Sequence, residues 1–150
     1  MQVGDIMTRD VQTANATDTF ADVARTLHAN RISSVIVMDE GRLAGIVTER
    51  DLVNAVAEGA DPREEAVGGR MTRDLATVES RTDIADAAAM MAQRGIRHLP
   101  VVDRGELAGI VSIRDLTNWA VNKLTGGHEL PDLERSQAAL AAHVEVKRNE

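Results

Sequence analysis

One stretch of this chain occurs twice, and no other feature constrains the fold as much. The first copy is Leu43-Ala44-Gly45-Ile46-Val47-Thr48-Glu49-Arg50-Asp51-Leu52 and the second is Leu107-Ala108-Gly109-Ile110-Val111-Ser112-Ile113-Arg114-Asp115-Leu116. An offset of 64 residues, which carries Asp51 onto Asp115, aligns the two halves without a gap. Met7-Thr8-Arg9-Asp10 then falls on Met71-Thr72-Arg73-Asp74, Ala21-Asp22 on Ala85-Asp86, Ile32 on Ile96 and Asp39 on Asp103. Two copies are too few for a solenoid, so the pattern predicts a pseudo-symmetric pair of like units.

Each copy reads as the same run of elements. A short extended piece sits at Thr13-Ala14 and at Thr77-Val78. Apolar residues then recur at helical spacing, as Phe20, Val23, Ala24, Leu27 and as Ile84, Ala87, Ala88, Met91, predicting helices over 20–30 and 84–94. Thr17 or Asp18, and Ser80 or Thr82, are the candidate N-caps. Continuous apolar runs follow at 35–38 and 99–102, as expected of strands buried on both faces. Glu40-Gly41 and Arg104-Gly105 mark tight turns into strands that end at Thr48 and Ser112. Second helices are expected over 49–57 and 113–123. Residues 58–69 form a polar connector containing Pro62 and Gly68-Gly69, and 131–146 read as an extra helix with a modest apolar face of Leu133, Ala138, Leu140 and Val144.

Composition narrows the function. Apolar residues make up 43% of the 150, enough for a core, but aromatics only 1%, so aliphatic and Ala side chains must build it. A net charge of −7 disfavours a nucleic-acid partner, which calls for clustered Lys and Arg. The absence of Cys removes disulfides and thiolate metal sites. The start has no basic-then-apolar signal pattern and no apolar run approaches membrane-spanning length, so a cytoplasmic protein with no membrane partner is expected. No phosphate loop, His-Glu-x-x-His or Gly-x-Ser-x-Gly segment occurs. His28, His98, His128 and His143 show no ligand spacing, so no metal is expected, and Met90-Met91 reads as core rather than a redox site.

The repeated strand-to-helix junction carries the chemistry. Thr48-x-x-Asp51 and Ser112-x-x-Asp115 each bring a hydroxyl, a carboxylate and the free N–H groups of a helix start to one edge. The same spacing is a capping box, in which Thr48 and Ser112 are N-caps. A carboxylate there also matches a ribose, whose neighbouring hydroxyls both donate to it. The two uses are compatible, because Asp has two oxygens.

The βαββα repeat, the doubled Gly-Ile-Val-(Thr/Ser)-x-Arg-Asp-Leu and the segment Gly95-Ile96-Arg97-His98-Leu99-Pro100-Val101-Val102-Asp103 together resemble a pair of cystathionine-β-synthase (CBS) domains, over roughly residues 3–125. The resemblance implies an α/β fold of two βαββα repeats about a pseudo-two-fold axis, with sheets packed together and two clefts between them. It implies adenosine-containing ligands: AMP, ADP, ATP or S-adenosylmethionine. The segment holding Arg97, His98 and Pro100 lines the cleft centre in that family, where phosphates gather; Arg offers them a planar fork and His a charge near neutral pH. The first half has Ser33, Ser34 and Ile36 there, so the halves have diverged. Thr13, Ala14, Thr77 and Val78 match the short strand that the family sets against adenine.

The expected organisation is a first CBS domain with connector at 1–64, a second at 65–126 and a helical tail at 127–150. The expected function is a non-enzymatic regulatory sensor of adenine nucleotides, acting on an effector protein that the sequence does not name. The alternatives are a regulatory subunit of a metabolic enzyme, for example in purine metabolism, or a structural dimerisation module with degenerate clefts. A homodimer is expected because the second helices carry Leu52, Val53 and Val56, then Leu116, Trp119, Ala120 and Leu124, more apolar surface than one half can bury.

Overall fold

The computed structural model describes residues 1–126. The expected helix at 131–146 and the remainder of the tail lie outside the described residues. Residues 1–116 form one compact unit, and a second unit begins at Thr117. The elements in chain order are β1 (Thr13–Asn15), α1 (Phe20–Asn30), β2 (Ser34–Asp39), β3 (Arg42–Thr48), α2 (Glu49–Ala57), α3 (Ile84–Arg94), β4 (His98–Asp103), β5 (Glu106–Ser112) and α4 (Ile113–Leu124). The mixed α/β repeat is as the duplication predicts.

Local chemistry sets the elements. The stripe on α1 buries Phe20, Val23 and Leu27, and that on α3 buries Ile84, Ala87 and Met91. In β2, Ser34, Val35, Ile36 and Val37 are all buried, as a continuous apolar run requires. Both hairpins turn through two residues with positive φ, Glu40-Gly41 and Arg104-Gly105, the geometry that matches strand twist.

The helix starts differ from the expected caps. The N-cap of α1 is Thr19, in a reciprocal box with Asp22, and that of α3 is Asp83, which accepts from the Ala85 N–H at 2.8 Å. Asp18 and Thr82 are cap-type residues used one step earlier. Asp18 Oδ2 accepts from the Asn15 N–H and Thr82 Oγ1 from the Glu79 N–H, so each closes the turn that leads into the helix.

The two sheets are not identical. In the first repeat β1 pairs parallel with β2, and β2 pairs antiparallel with β3. In the second, β4 and β5 form the sheet, and the expected first strand shrinks to a single bridge between Val78 and Val101. Pro100 is the reason. Its counterpart Ile36 donates its N–H to the Gln12 carbonyl, and Pro has no N–H to offer.

The repeats are interlocked by exchange of their leading segments. The chain before β1 pairs with the second repeat: Thr8 and Ile110 trade backbone bonds of 2.9 Å, and the Gly4 N–H reaches the Ser80 carbonyl at 2.7 Å. The chain between α2 and α3 does the same for the first repeat: Thr72 and Ile46 trade bonds of 3.0 Å, and the Gly68 N–H reaches the Ala16 carbonyl. Val67 and Met71 from this stretch accordingly lie in the core with Phe20, Val23 and Val47. In space, each repeat is completed by the flank of the other.

The crossing segments pass very close to the outer strands. A Cβ on Gly45 would stand 2.7 Å from Met71 Sδ and 2.8 Å from the Thr72 carbonyl oxygen; on Gly109, 2.8 Å from Met7 Sδ and from the Thr8 carbonyl oxygen. Gly45→Ala and Gly109→Ala are each expected to cost about 1–3 kcal/mol by overpacking, several degrees of melting temperature. Gly69→Ala, where a Cβ meets nothing within 4 Å, is the matched control. Thermal denaturation checks it: equal small shifts in all three would show that the segments do not pack this closely.

Candidate functional site

Both Ser/Thr-x-x-Asp junctions fold as caps. Asp51 Oδ2 accepts from the Thr48 N–H at 2.8 Å and from its hydroxyl at 3.3 Å. Asp115 Oδ2 accepts from the Ser112 N–H and hydroxyl, each at 2.7 Å, while the Asp115 N–H returns a 3.3 Å bond to Ser112 Oγ. One carboxylate oxygen thus serves the helix. The other, Oδ1, has no hydrogen-bond partner among the described residues, and no buried side-chain polar atom there is unsatisfied, so Oδ1 of both half-buried residues is open to solvent. Capping leaves a free acceptor at each helix start.

Two cavities lie beside these junctions, and each is built from both repeats. The first, about 670 Å³, runs between Thr48, Glu49 and Arg50 on one side and residues 72, 74–76 and 95–98 on the other. The second, about 330 Å³, runs between residues 112–115 on one side and residues 8, 10–12 and 32–34 on the other. Crossing of the leading segments makes this possible, since 8–12 and 72–76 continue directly from the bridges at Thr8 and Thr72. Ser112 and Asp115 line the second cavity; Thr48 lines the first, while Asp51 does not.

Arg97 and His98 line both cavities, as do Ser33 and Glu49. The His98 ring meets Ser33 Oγ through Nε2 at 2.9 Å, a tie between the repeats. Burial is the largest influence on His98 and depresses its pKa below the ordinary 6.5; the Asp115 and Glu49 carboxylates pull it up, and the Arg97 and Arg114 guanidinium groups push it down. Thr13, Ala14, Thr77, Val78 and Pro100 line neither cavity. Thr13 and Thr77 are exposed, Val78 and Pro100 are buried, and Ala14 packs against the first repeat's core.

The arrangement, two interlocked repeats with a cleft at each strand-to-helix junction, has counterparts. The family model for the CBS domain matches this chain twice, over residues 3–58 and 65–122. The chain belongs to the CBS-domain family. It is 37% identical over 119 residues to protein MK0525 of Methanopyrus kandleri, covering 77% of this chain and 61% of that protein, so it spans less than two thirds of that relative. The CBS-domain pair of protein MJ0100, solved with 5′-methylthioadenosine and S-adenosyl-L-methionine, superposes with a TM-score of 0.76 at 27% identity, over 82% of this chain and 98% of that one. The CBS-domain protein PAE2072 of Pyrobaculum aerophilum, solved with AMP, gives 0.72 at 30% identity, over 77% and 90%. Among the described residues, no helix is long and apolar enough to cross a membrane.

Several lining residues of this CBS pair escaped the sequence reading: Arg50, Arg114, Glu49, Asp10, Asp74 and Gln12. The two arginines had a signal, since each precedes the Asp in the doubled segment. Asp10 and Asp74 are also a repeated pair. Gln12 had none, because Ala76 stands at its equivalent position.

The depressed pKa of His98 has a consequence for stability. The unfolded chain holds the imidazole proton more tightly, so acidification below about 6.5 favours unfolding, whereas above that pH both states are neutral and the effect vanishes. Between pH 7.5 and 5.5 the wild-type melting temperature is expected to fall more steeply than that of His98→Gln, which keeps a side chain able to bond Ser33. Equal slopes would mean that His98 titrates alike in the folded and unfolded chains.

Proposed function

We propose that this CBS pair is a regulatory module that binds an adenine nucleotide, AMP, ADP or ATP, and passes its occupancy to an effector protein. One observation carries the reading: the Asp115 carboxylate spends Oδ2 on the cap and leaves Oδ1 open beside a cavity lined by Ser112, Arg97 and Arg114. A carboxylate held at a helix start is an acceptor for ribose hydroxyls, and guanidinium forks suit phosphate. The cavity, about 330 Å³, lies within the usual range for small-molecule sites. The adenosine-containing ligands of the two solved relatives support the same assignment. The first cavity, with Thr48, Arg50 and Arg97, is the second candidate site, and S-adenosylmethionine the alternative ligand for a cleft without phosphate contacts. The Ser33–His98 pair lacks, among the described residues, a carboxylate bonded to the ring, and we take it as a tie rather than a nucleophile and its base.

A thermal-shift measurement with AMP, ADP and ATP tests this. A ligand at about a hundredfold excess over its Kd stabilises the fold by roughly 2.7 kcal/mol, several degrees for a chain of this length. Asp115→Ala also removes a cap, so the readout is the nucleotide-induced increment rather than the melting point. That increment is expected to fall sharply in Asp115→Ala, with Asp51→Ala testing the other junction. Retention of the full increment in both variants and in the double variant would reduce the carboxylates to caps.

We further propose that the module is a homodimer. On α2, Val53 and Val56 are 64% and 53% exposed, an apolar face that a second copy would cover. Sedimentation at micromolar concentration is expected to show a dimer, and Val53→Glu with Val56→Glu a folded monomer; a monomeric wild type would refute the assignment.

A further inference from the structure

The two cavities share a wall of four residues, Ser33, Glu49, Arg97 and His98. Beyond it, each has one guanidinium of its own, Arg50 in the first and Arg114 in the second. Each also has carboxylates of its own: Asp74 in the first, Asp10 and Asp115 in the second. Arg97 is therefore the permanent cation that both cavities face. The position equivalent to it by the 64-residue offset is Ser33, so the repeat symmetry that supplies Arg50 and Arg114 in duplicate supplies this cation once. Arg97 is exposed, which leaves its long side chain free to turn to either space.

A guanidinium presents its fork to one phosphate at a time. A phosphate in the cavity that Arg97 is not serving would face a single private Arg, offset by the shared Glu49 and by that cavity's own carboxylates. It would also face the like charge of the first phosphate across a shared wall, which disfavours double occupancy. We propose that the two clefts of one chain compete for Arg97, so that a phosphate-bearing adenine nucleotide in one weakens the binding of a second in the other, while an uncharged nucleoside escapes this coupling. The inference rests on the nucleotide reading above and adds to it a regulation between its sites. By linkage the weakening is reciprocal.

Calorimetric titration of the full chain with AMP and, separately, with adenosine tests it. For each ligand the quantity is the ratio of second-site to first-site Kd; dividing the AMP ratio by the adenosine ratio removes any intrinsic difference between the cavities. The quotient is expected to be at least about fivefold, the lower end of typical coupling, and an undetectable second AMP site counts as a lower bound. Arg97→Gln, at an exposed position, is expected to weaken the first AMP site and to lower the quotient to the smaller value that phosphate repulsion alone sustains. Ser33→Arg, which restores the missing cation, is expected to lower the quotient by strengthening the second AMP site. A wild-type quotient near one, both ligands stopping at one site per chain, or a quotient undiminished in Arg97→Gln overturns the coupling while the nucleotide reading stands. Binding of neither ligand overturns that reading, and the coupling with it.

Discussion

The backbone exchange between the repeats is the constraint on which the rest depends. Thr8 with Ile110 and Thr72 with Ile46 are ordinary hydrogen bonds, each worth about 1 kcal/mol net. Their consequence is positional. The chain that leaves each bridge becomes one wall of a cavity, and the opposite wall is a strand-to-helix junction of the other repeat. The glycines at 45 and 109 permit the approach, since a Cβ there would run into the crossing backbone. A single repeat would have neither its outer strand covered nor a complete cleft.

Within that frame the junction carboxylates serve two ends with two oxygens. Oδ2 satisfies N–H and hydroxyl donors at the helix start, a contribution of about 0.5–2 kcal/mol for a cap. The same bonds fix the direction of Oδ1. The group that stabilises the helix is thereby pre-oriented as an acceptor, and its geometry does not have to be created when a ligand arrives.

The copies have diverged in and beside the wall that the two cavities share. Pro100 in place of Ile36 deletes one N–H and shortens the first strand of the second repeat to a bridge. Arg97 and His98 in place of Ser33 and Ser34 bring charge and a titratable ring to the shared wall from one repeat only. Glu49, whose counterpart by the 64-residue offset is the uncharged Ile113, adds an acid to both cavities. The core positions, by contrast, keep their character: Phe20 and Ile84, Val23 and Ala87, Leu27 and Met91 fill the same helical stripe. Burial keeps these positions apolar though their shapes differ, while the solvent-lined wall admits new charge.

The sequence by itself determined the repeat, the order of its elements and most of their limits. Periodicity and turn chemistry are local, so α1 at Phe20–Asn30, α2 at Glu49–Ala57 and α3 at Ile84–Arg94 were legible, as was the buried character of β2. Where several cap-type residues stand in a row, as at 17–19 and 80–83, local pattern does not separate the one that closes the turn from the one that opens the helix. The tertiary structure alone decided that the leading segments cross, that Asp115 lines its cavity while Asp51 does not, and that Arg97 and His98 face both spaces. A gapless offset states which residues are equivalent. It does not state which are neighbours, because contacts between repeats are set by how the two cores pack and by which close approach a glycine allows.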